Sequence, residues 1–469
     1  MVWVDINRNS AIPMIQQIYQ QIRKKILSGE LAPGEKMPSS RAFAAELRIS
    51  RNVVLEAYDM LAAEGYLTGE AGSGTYVSKG ACLKGYNQIA AYENKTGGPL
   101  PVKPDGINFR SGVPALNLFP IEKWADLYKK VCQETTGKTL GYGAPEGSIE
   151  LRTTLAEYLL RTRGMYCNPG SIIITTGAVQ GLQLAARVLI SQGDAVILED
   201  PSNYDLQRIF LSAGAKLYPI PVDNKGMDTS LLPAGLKTSF IYVTPSHQFP
   251  MGGILPIQRR IELVGYAREN GCYILEDDYD SEFRYEGAPV GTIKSLDDKN
   301  VIYIGTFSKI LFPSLRIGYL VLPEELILRF RKLKKHLDVQ TPILEQLTLA
   351  RFITEGHLER HVLKVRKIYS RRRKKLIDCL NEFFPGCFRI YGECAGLHLV
   401  VEFDFNITKK IMNAVKKSGI DIYPVWLHSL DRNQKRNKFI FGYGNLNEEL
   451  IYSGIKKLRE ILSDQGILT

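Results

Sequence analysis

The sequence predicts an α/β protein preceded by a small helical unit, and three observations predict it. Short β-branched or apolar runs recur from residue 107 onward and alternate with helical segments: SIIITT (171–176), AVILED (195–200), FIYVTP (240–245), CYILED (272–277) and VIYIGT (301–306). Runs this continuous suit strands buried on both faces of a mostly parallel sheet with helices on both sides. The first 80 residues instead read helix, helix, helix, hairpin. Between the two, residues 80–106 show little periodicity and end rich in Gly and Pro, which predicts a linker.

In chain order, Ile15, Ile18, Ile22 and Ile26 give one apolar helical face, and the helix should stop near Ser28-Gly29. Ser39 or Ser40 can cap a short helix through Leu47. Ser50 caps a third helix, RNVVLEAYDMLAAEG, ending at Gly65. YLTGEAGSGTYV alternates around Gly72-Ser73-Gly74 and predicts a hairpin. This order over residues 1–79 is that of a winged helix-turn-helix. Residues 107–469 carry the α/β pattern. Helical stretches follow at 326–338 and 342–384. A smaller α+β unit, mostly within 340–469, has strands near GLHLVVEF and KFIFGYG.

Composition narrows the class. The chain has 469 residues, 45% hydrophobic and 23% charged, which excludes a disordered, collagen-like or coiled-coil protein. No run approaches the roughly 18 apolar residues of a membrane helix, so no membrane partner is expected. The start lacks a basic segment followed by an apolar run, so no secretory signal is expected. Seven cysteines with no CxxC pair fit neither a disulfide framework nor a zinc ribbon, and a reducing cytoplasm is the expected location. His357 and His361 stand four apart on a helix, but HLERH lacks zincin order and a third ligand. They read as exposed histidines, and no metal is expected.

The net charge of +11 is compatible with a nucleic-acid partner. Residues 1–80 are near balance, with nine basic and eight acidic side chains. Residues 359–376 hold nine basic and one acidic. That run reads as a solvated helix face or as a surface for DNA phosphates.

The chemistry gathers at predicted strand ends, where open α/β sheets bind ligands. GTFSK (305–309) places Lys309 just past a strand, with Arg316 seven residues on. EDDYD (276–280) closes another strand. TTGAVQG (175–181) reads strand, glycine turn, helix start. Together they offer an amine, a cation, an acid, a phenol and a helix N-terminus. Pyridoxal 5'-phosphate needs that set: a lysine for the Schiff base, a carboxylate for the pyridine nitrogen, a phenol for the ring hydroxyl, and a cation with backbone N–H groups for the phosphate.

On these motifs residues 107–469 resemble fold-type I aminotransferases. PSSRAFAAELRISRNVVLEAYDMLAAEGYL is similar to the GntR-type winged helix, and TPSHQFPMGG, ILEDDYDSEFRY and IGTFSK are similar to strings typical of the MocR family of bacterial regulators, which joins these two parts in this order. The resemblance implies that Lys309 carries the aldimine, Asp277 meets the pyridine nitrogen and Tyr279 the ring hydroxyl. It implies phosphate contacts from Thr306, Ser308, Arg316 and the backbone of Ala178 and Val179, and a reach across a homodimer by Tyr142. Arg436 falls where the GABA-responsive member holds its effector's carboxylate. Arg41, Ser50, Arg51, Asn52 and Gly74 would meet double-stranded operator DNA. The implied assembly is a head-to-tail homodimer.

The sequence also departs from the pattern. The Asn-Pro-Thr-Gly string of aminotransferases reads Gln-Phe-Pro-Met-Gly (248–252), without the asparagine. Asn203 and Asp205 stand where the GABA-responsive regulator has a ring-stacking tyrosine and an arginine, and Tyr204 can serve as the stacking ring. The function expected is a DNA-binding regulator that senses a small amino compound by aldimine exchange. Two alternatives stay open: an active aminotransferase carrying a DNA-binding domain, and a regulator that senses the cofactor itself.

Overall fold

The structure is a computed structural model that describes residues 4–70, 73–83, 106–288, 290–431 and 436–467. It divides into two compact units, Met1–Lys103 and Pro104–Thr469.

In the first unit, α1 (Met14–Ser28) lays Ile18, Ile22 and Ile26 against Phe43 of α2 (Ser40–Leu47) and Val54 and Leu61 of α3 (Arg51–Ala63). α1 ends because Gly29 takes a left-handed conformation (φ 81°). The Ser39 hydroxyl accepts from the Ala42 amide and the Ser50 hydroxyl from the Asn52 amide, so both serines satisfy donors that a helix start leaves open. β1 (Leu67–Glu70) and β2 (Gly74–Val77) pair antiparallel, Leu67 opposite Val77. Gly72 of the expected turn, and residues 84–105 of the expected linker, lie outside the described residues.

The second unit opens with a short strand, β3 (Ile107–Asn108), then α4 (Ile121–Glu134) and α5 (Ile149–Arg163). Next come β4 (Ile172–Thr175), α6 (Ala178–Leu189), β5 (Ala195–Asp200), α7 (Tyr204–Ser212), β6 (Lys216–Asp223), β7 (Gly226–Met227) and β8 (Thr238–Val243). α8 (Ile257–Asn270), β9 (Tyr273–Asp278), β10 (Val301–Thr306) and β11 (Gly318–Val321) complete the large layer. The sheet order is β4-β11-β10-β9-β8-β5-β6-β7. β10, β9, β8, β5 and β6 run parallel, while β11 is antiparallel to both β10 and β4. β4 therefore points the same way as β10, and the carboxyl ends of β4, β5, β8, β9 and β10 share one edge. These strands are buried along nearly all their length, which is why they read as apolar runs.

α9 (Glu324–Asp338), α10 (Ile343–Thr354) and α11 (His357–Phe383) follow. The helical stretch expected over 342–384 is thus two helices, because Gly356 adopts a left-handed turn (φ 70°) between them. His361 corrects another expectation. It is buried, and its Nε2 meets the Ile310 carbonyl at 3.2 Å. The smaller layer holds β12 (Phe388–Tyr391), β13 (His398–Phe403), α12 (Lys409–Lys417), β14 (Ile420–Asp421), β15 (Tyr423–Pro424), β16 (Lys438–Gly442) and α13 (Glu448–Asp464). Its antiparallel sheet runs β12-β13-β16-β15, and β14 pairs with β3. Phe109, Tyr369, Phe441 and Ile455 share one core there, so the segment that opens this unit packs with the segments that close it.

Below the sheet edge, Arg163 at the end of α5 bridges two carboxylates, Asp278 and Glu282, each at 3.3 Å. All three side chains are almost fully buried. Removing the cation leaves two buried negative charges with only the hydroxyls of Tyr303 and Tyr158 to meet them. Arg163→Ala should therefore lower the stability of this unit by about 3–5 kcal/mol. Denaturant unfolding checks this: a loss below about 1 kcal/mol would mean that the carboxylates do not depend on it.

Candidate cofactor and effector site

Lys309 stands three residues past the end of β10 and is half-buried. Burial pulls its amine below the ordinary lysine range. Arg110 and Arg316 push the same way, while Asp280 and Asp277 oppose them. A lysine so placed is more readily a neutral nucleophile than a solvated one. Gly112 (φ 67°) lies against it: a Cβ there would come within 2.7 Å of Nζ.

Asp277, near the end of β9, is buried beside it. Its Oδ2 accepts from the Tyr242 hydroxyl at 2.7 Å, and its Oδ1 is buried with no partner. Burial pushes this carboxyl up to about 6. An unpaired buried carboxylate oxygen is costly, and a pyridinium N–H satisfies it.

Tyr279 is held by His247. Asp280 is 3.1 Å from His247 Nδ1 and can only accept when ionised, so Nδ1 carries the proton. The Tyr279 hydroxyl then donates to the His247 carbonyl at 2.9 Å and lies 3.1 Å from Nδ1. His247 also packs 5.1 Å from His398, whose Nε2 meets the Pro250 carbonyl at 2.9 Å. These histidines and Asp280 are the one grouping of metal-ligand type among the described residues. His247 Nδ1 and His398 Nε2 are engaged with protein oxygens, while His247 Nε2 is buried without a partner.

The expected phosphate contacts gather around backbone. Arg316 has a left-handed conformation (φ 52°) and donates from Nη2 to the Thr176 carbonyl at 2.8 Å. Its guanidinium covers Gly177, where a Cβ would come within 2.8 Å of Nη2, and Gly318 packs as tightly against the amide of Ala178. The two glycines let β11 and the arginine approach the start of α6. There the amides of Ala178 and Val179 are left open by helix geometry. Thr306 and Ser308 are buried, and the Ser308 amide donates to Thr306 Oγ1 at 3.2 Å.

Other expected residues fall differently. Tyr142 is 93% exposed, on the loop whose Gly143 amide is held by Gln340. Tyr204 opens α7 with nearly half its surface exposed, and its amide donates to His428 Nδ1 at 3.2 Å. The ring stacked edge-on to His428, at 5.1 Å, belongs to Phe249. Arg436 is exposed just before β16. The site lies at the other end of that strand, where Gly442 packs on the carbonyl of Arg110. β16 alone spans roughly 13 Å. Arg436 therefore stands at the end of β16 away from Gly442. Arg41, Arg51, Asn52 and Gly74 are exposed on the first unit, and Arg51 Nε donates to Ser40 Oγ at 3.3 Å.

The sequence reading missed Tyr242, His247, Glu199 and Arg110. Glu199 is fully buried at the end of β5 and takes the hydroxyl and amide of Thr244 on one oxygen, and burial pushes it up to about 7. An acid in the last positions of a predicted buried strand, as in AVILED, was the available signal.

Residues 104–420 match the family described as aminotransferase class I and II, and residues 14–77 match the bacterial regulatory proteins of the gntR family. The chain is 33% identical to a probable rhizopine catabolism regulatory protein, MocR, of Rhizobium meliloti, over 97% of this chain and 94% of that one. It is 30% identical to the pyridoxine biosynthesis regulator PdxR of Corynebacterium glutamicum, with 98% of each covered. The chain belongs to the MocR-type regulators of the GntR superfamily. Its second unit also resembles a solved Pyrococcus horikoshii kynurenine aminotransferase, with TM-score 0.72 and 31% identity over 77% of this chain and 92% of that one. The aminotransferase class I and II family is a pyridoxal-phosphate-dependent one, and the residues around Lys309 fit that group: an unpaired buried acceptor, a half-buried amine and a glycine-lined helix start.

Asp277 yields a pH prediction for the protein stripped of cofactor. Its carboxyl titrates near 6 when folded and near 3.9 when unfolded, so the charged form is penalised only in the fold. The penalty is absent below about pH 4, grows through pH 6 and is complete above it. Asp277→Asn should therefore stabilise the cofactor-free protein at pH 8 by on the order of 2–3 kcal/mol and leave it unchanged at pH 4. Thermal unfolding at the two pH values reads this, and an equal effect at both would contradict the burial argument.

Proposed function

We propose that this chain is a DNA-binding transcriptional regulator that holds pyridoxal 5'-phosphate on Lys309 and senses a small amino compound. The observation that carries the reading is the half-buried Lys309 amine beside the unpaired Asp277 oxygen, in a chain whose other unit is a GntR-type reader. The cofactor supplies an electrophilic carbon in imine linkage. Lys309 would hold the cofactor through its amine and would give up that place to the amine of an effector. Asp277 holds the pyridine nitrogen, Tyr279 faces the ring hydroxyl, and Thr306, Ser308, Arg316 and the amides of Ala178 and Val179 hold the phosphate. Arg110, close enough to Lys309 to depress its amine, is a better placed cation for an effector's anionic end than Arg436.

On the DNA side, α3 enters the major groove with Arg51 and Asn52, which have the chemistry to read guanine and adenine. Arg41 and the amide of Ser50 meet phosphates, and the Gly74 hairpin rests on the adjacent backbone. A head-to-tail homodimer would let Tyr142 reach the partner's phosphate site and would give two readers, hence a paired operator. The exposure of Tyr142 supports this. Work on DNA in the cytoplasm fits the absence of a helix long and apolar enough to cross a membrane among the described residues.

A second reading, sensing of the cofactor itself, is favoured by the likeness to a regulator named for pyridoxine biosynthesis. The third, active transamination, is favoured by 30% identity to an aromatic-amino-acid aminotransferase of Thermococcus litoralis over 77% of this chain.

Affinity for a DNA duplex selected by the protein from a random library separates the readings. It is measured with the stripped protein, with cofactor, and with cofactor plus each of a panel of amines. The amine reading predicts a change with one class of amine that Lys309→Ala abolishes, while Arg51→Ala weakens all three states by about 1–3 kcal/mol. A change complete on adding cofactor alone favours cofactor sensing. Rapid multiple turnover of amine and keto acid with no change in DNA affinity favours the enzyme.

A further inference from the structure

The basic run at 359–376 is resolved by the structure into two groups. Some of its cations are spent. Arg372 is buried and bonded to the Gly444 carbonyl, and Arg373 lies on the Tyr285 ring and pairs with Glu286 at 3.3 Å. Lys374 pairs with Asp378, and Arg360 folds back onto the carbonyls of Glu355 and Gly356. Four others, Lys364, Arg366, Lys367 and Arg371, are exposed on one stretch of α11. With Arg284, from the segment after β9, they line a groove of about 1050 Å³. No carboxylate lines it, and none of the five makes an ion pair among the described residues. The nearby acids are taken: Glu286 by Arg373, and Glu359 by Arg161.

Five unpaired cations in one groove repel one another, and the arrangement is relieved by an anion that spans it. The cations are spread along the helix instead of converging on a point. Lys364 and Arg371, with Lys367 between them, are seven residues apart, roughly 10 Å along an α-helix. One strand of B-form DNA presents about three phosphates over that length of its axis. A single small phosphate would meet one or two of these side chains, whereas a repeating polyanion meets all of them. Cations spaced along the groove match the repeat of backbone phosphates, and contacts to phosphates carry no sequence information.

We propose that this groove is a second DNA-binding surface, one that takes the phosphate backbone flanking the site read by α3. It rests on the operator-binding reading above and adds a contact from the aminotransferase-like unit.

The test compares the whole cofactor-loaded protein with a Lys364→Ala/Lys367→Ala/Arg371→Ala variant. Alanine keeps α11 helical, and the three side chains touch nothing in the cofactor site. Two probes are used: the library-selected core duplex, and the same core with random-sequence flanks of about 20 base pairs on each side. Binding is measured from 50 to 200 mM salt, a range that separates few from many phosphate contacts. The parent protein should bind the flanked duplex more tightly than the core and with a steeper salt dependence. The variant should bind the core as the parent does and lose the advantage of the flanks. Its slope of log affinity against log salt should flatten by about 0.9 per contact, so by up to about 2.7.

An unchanged slope on flanked DNA overturns the proposal and leaves the operator reading standing. A change in the variant's oligomeric state also overturns it, since the groove would then face a second copy of the chain. Equal weakening on both probes overturns it as well. Failure of the parent to bind the core duplex overturns both readings together.

Discussion

The second unit depends on keeping a carboxylate where water cannot reach it. β9 is buried along nearly all its length and ends in three consecutive acids, Glu276, Asp277 and Asp278. Strand alternation sends them to different fates. Glu276 takes the amides of Ile293 and Lys294, Asp278 takes Arg163 and the Tyr303 hydroxyl, and Asp277 faces the other way with one oxygen on Tyr242 and one unpaired. Glu276 has both oxygens satisfied by the fold, and Asp278 has its charge paired with Arg163 while its Oδ1 stays unpartnered. Asp277 has no ion-pair partner among the described residues, and the cofactor-free chain carries its cost as a raised carboxyl pKa near 6.

Everything else at the sheet edge serves that acceptor. The parallel order of β4, β5, β8, β9 and β10 delivers the helix start, Glu199, His247, Asp277 and Lys309 to one place. Glycines make the approach possible. Gly112 leaves room beside the Lys309 amine, and Gly177 and Gly318 bring Arg316 and β11 against the first amides of α6. His247 orients a phenol. The Tyr279 hydroxyl is tied to the carbonyl and ring of His247, itself anchored by Asp280. The phenol hydrogen is committed to the main chain, so the Tyr279 oxygen is presented as an acceptor.

Much of this was legible in the sequence because it rests on periodicity and punctuation. The buried strands read as apolar runs, and Ser39, Ser50 and Gly29 read as helix ends because each satisfies or releases a backbone group locally. What could not be read depends on non-local packing. His361 looked like a surface histidine until α11 was seen to press it on the Ile310 carbonyl. Arg436 was expected to hold an effector's carboxylate by its resemblance to the GABA-responsive member. Which end of β16 meets the site is decided by the pairing of His398 with Gly442 and by the packing of Gly442 on Arg110, more than 300 residues away in the chain. The basic run could be counted but not divided, since its buried and paired members are distinguished only by Gly444, Tyr285 and Glu286.

The central claim is that Lys309 is the residue to which the cofactor is joined. Borohydride reduction of the purified protein, followed by peptide mapping, tests it most directly. Reduction fixes an imine as a stable secondary amine, so the phosphopyridoxyl mass stays on whichever lysine carried it. The account predicts that mass on the peptide containing Lys309 and on no other. Recovery on another of the chain's lysines, or no labelled peptide from a protein saturated with cofactor, would contradict it.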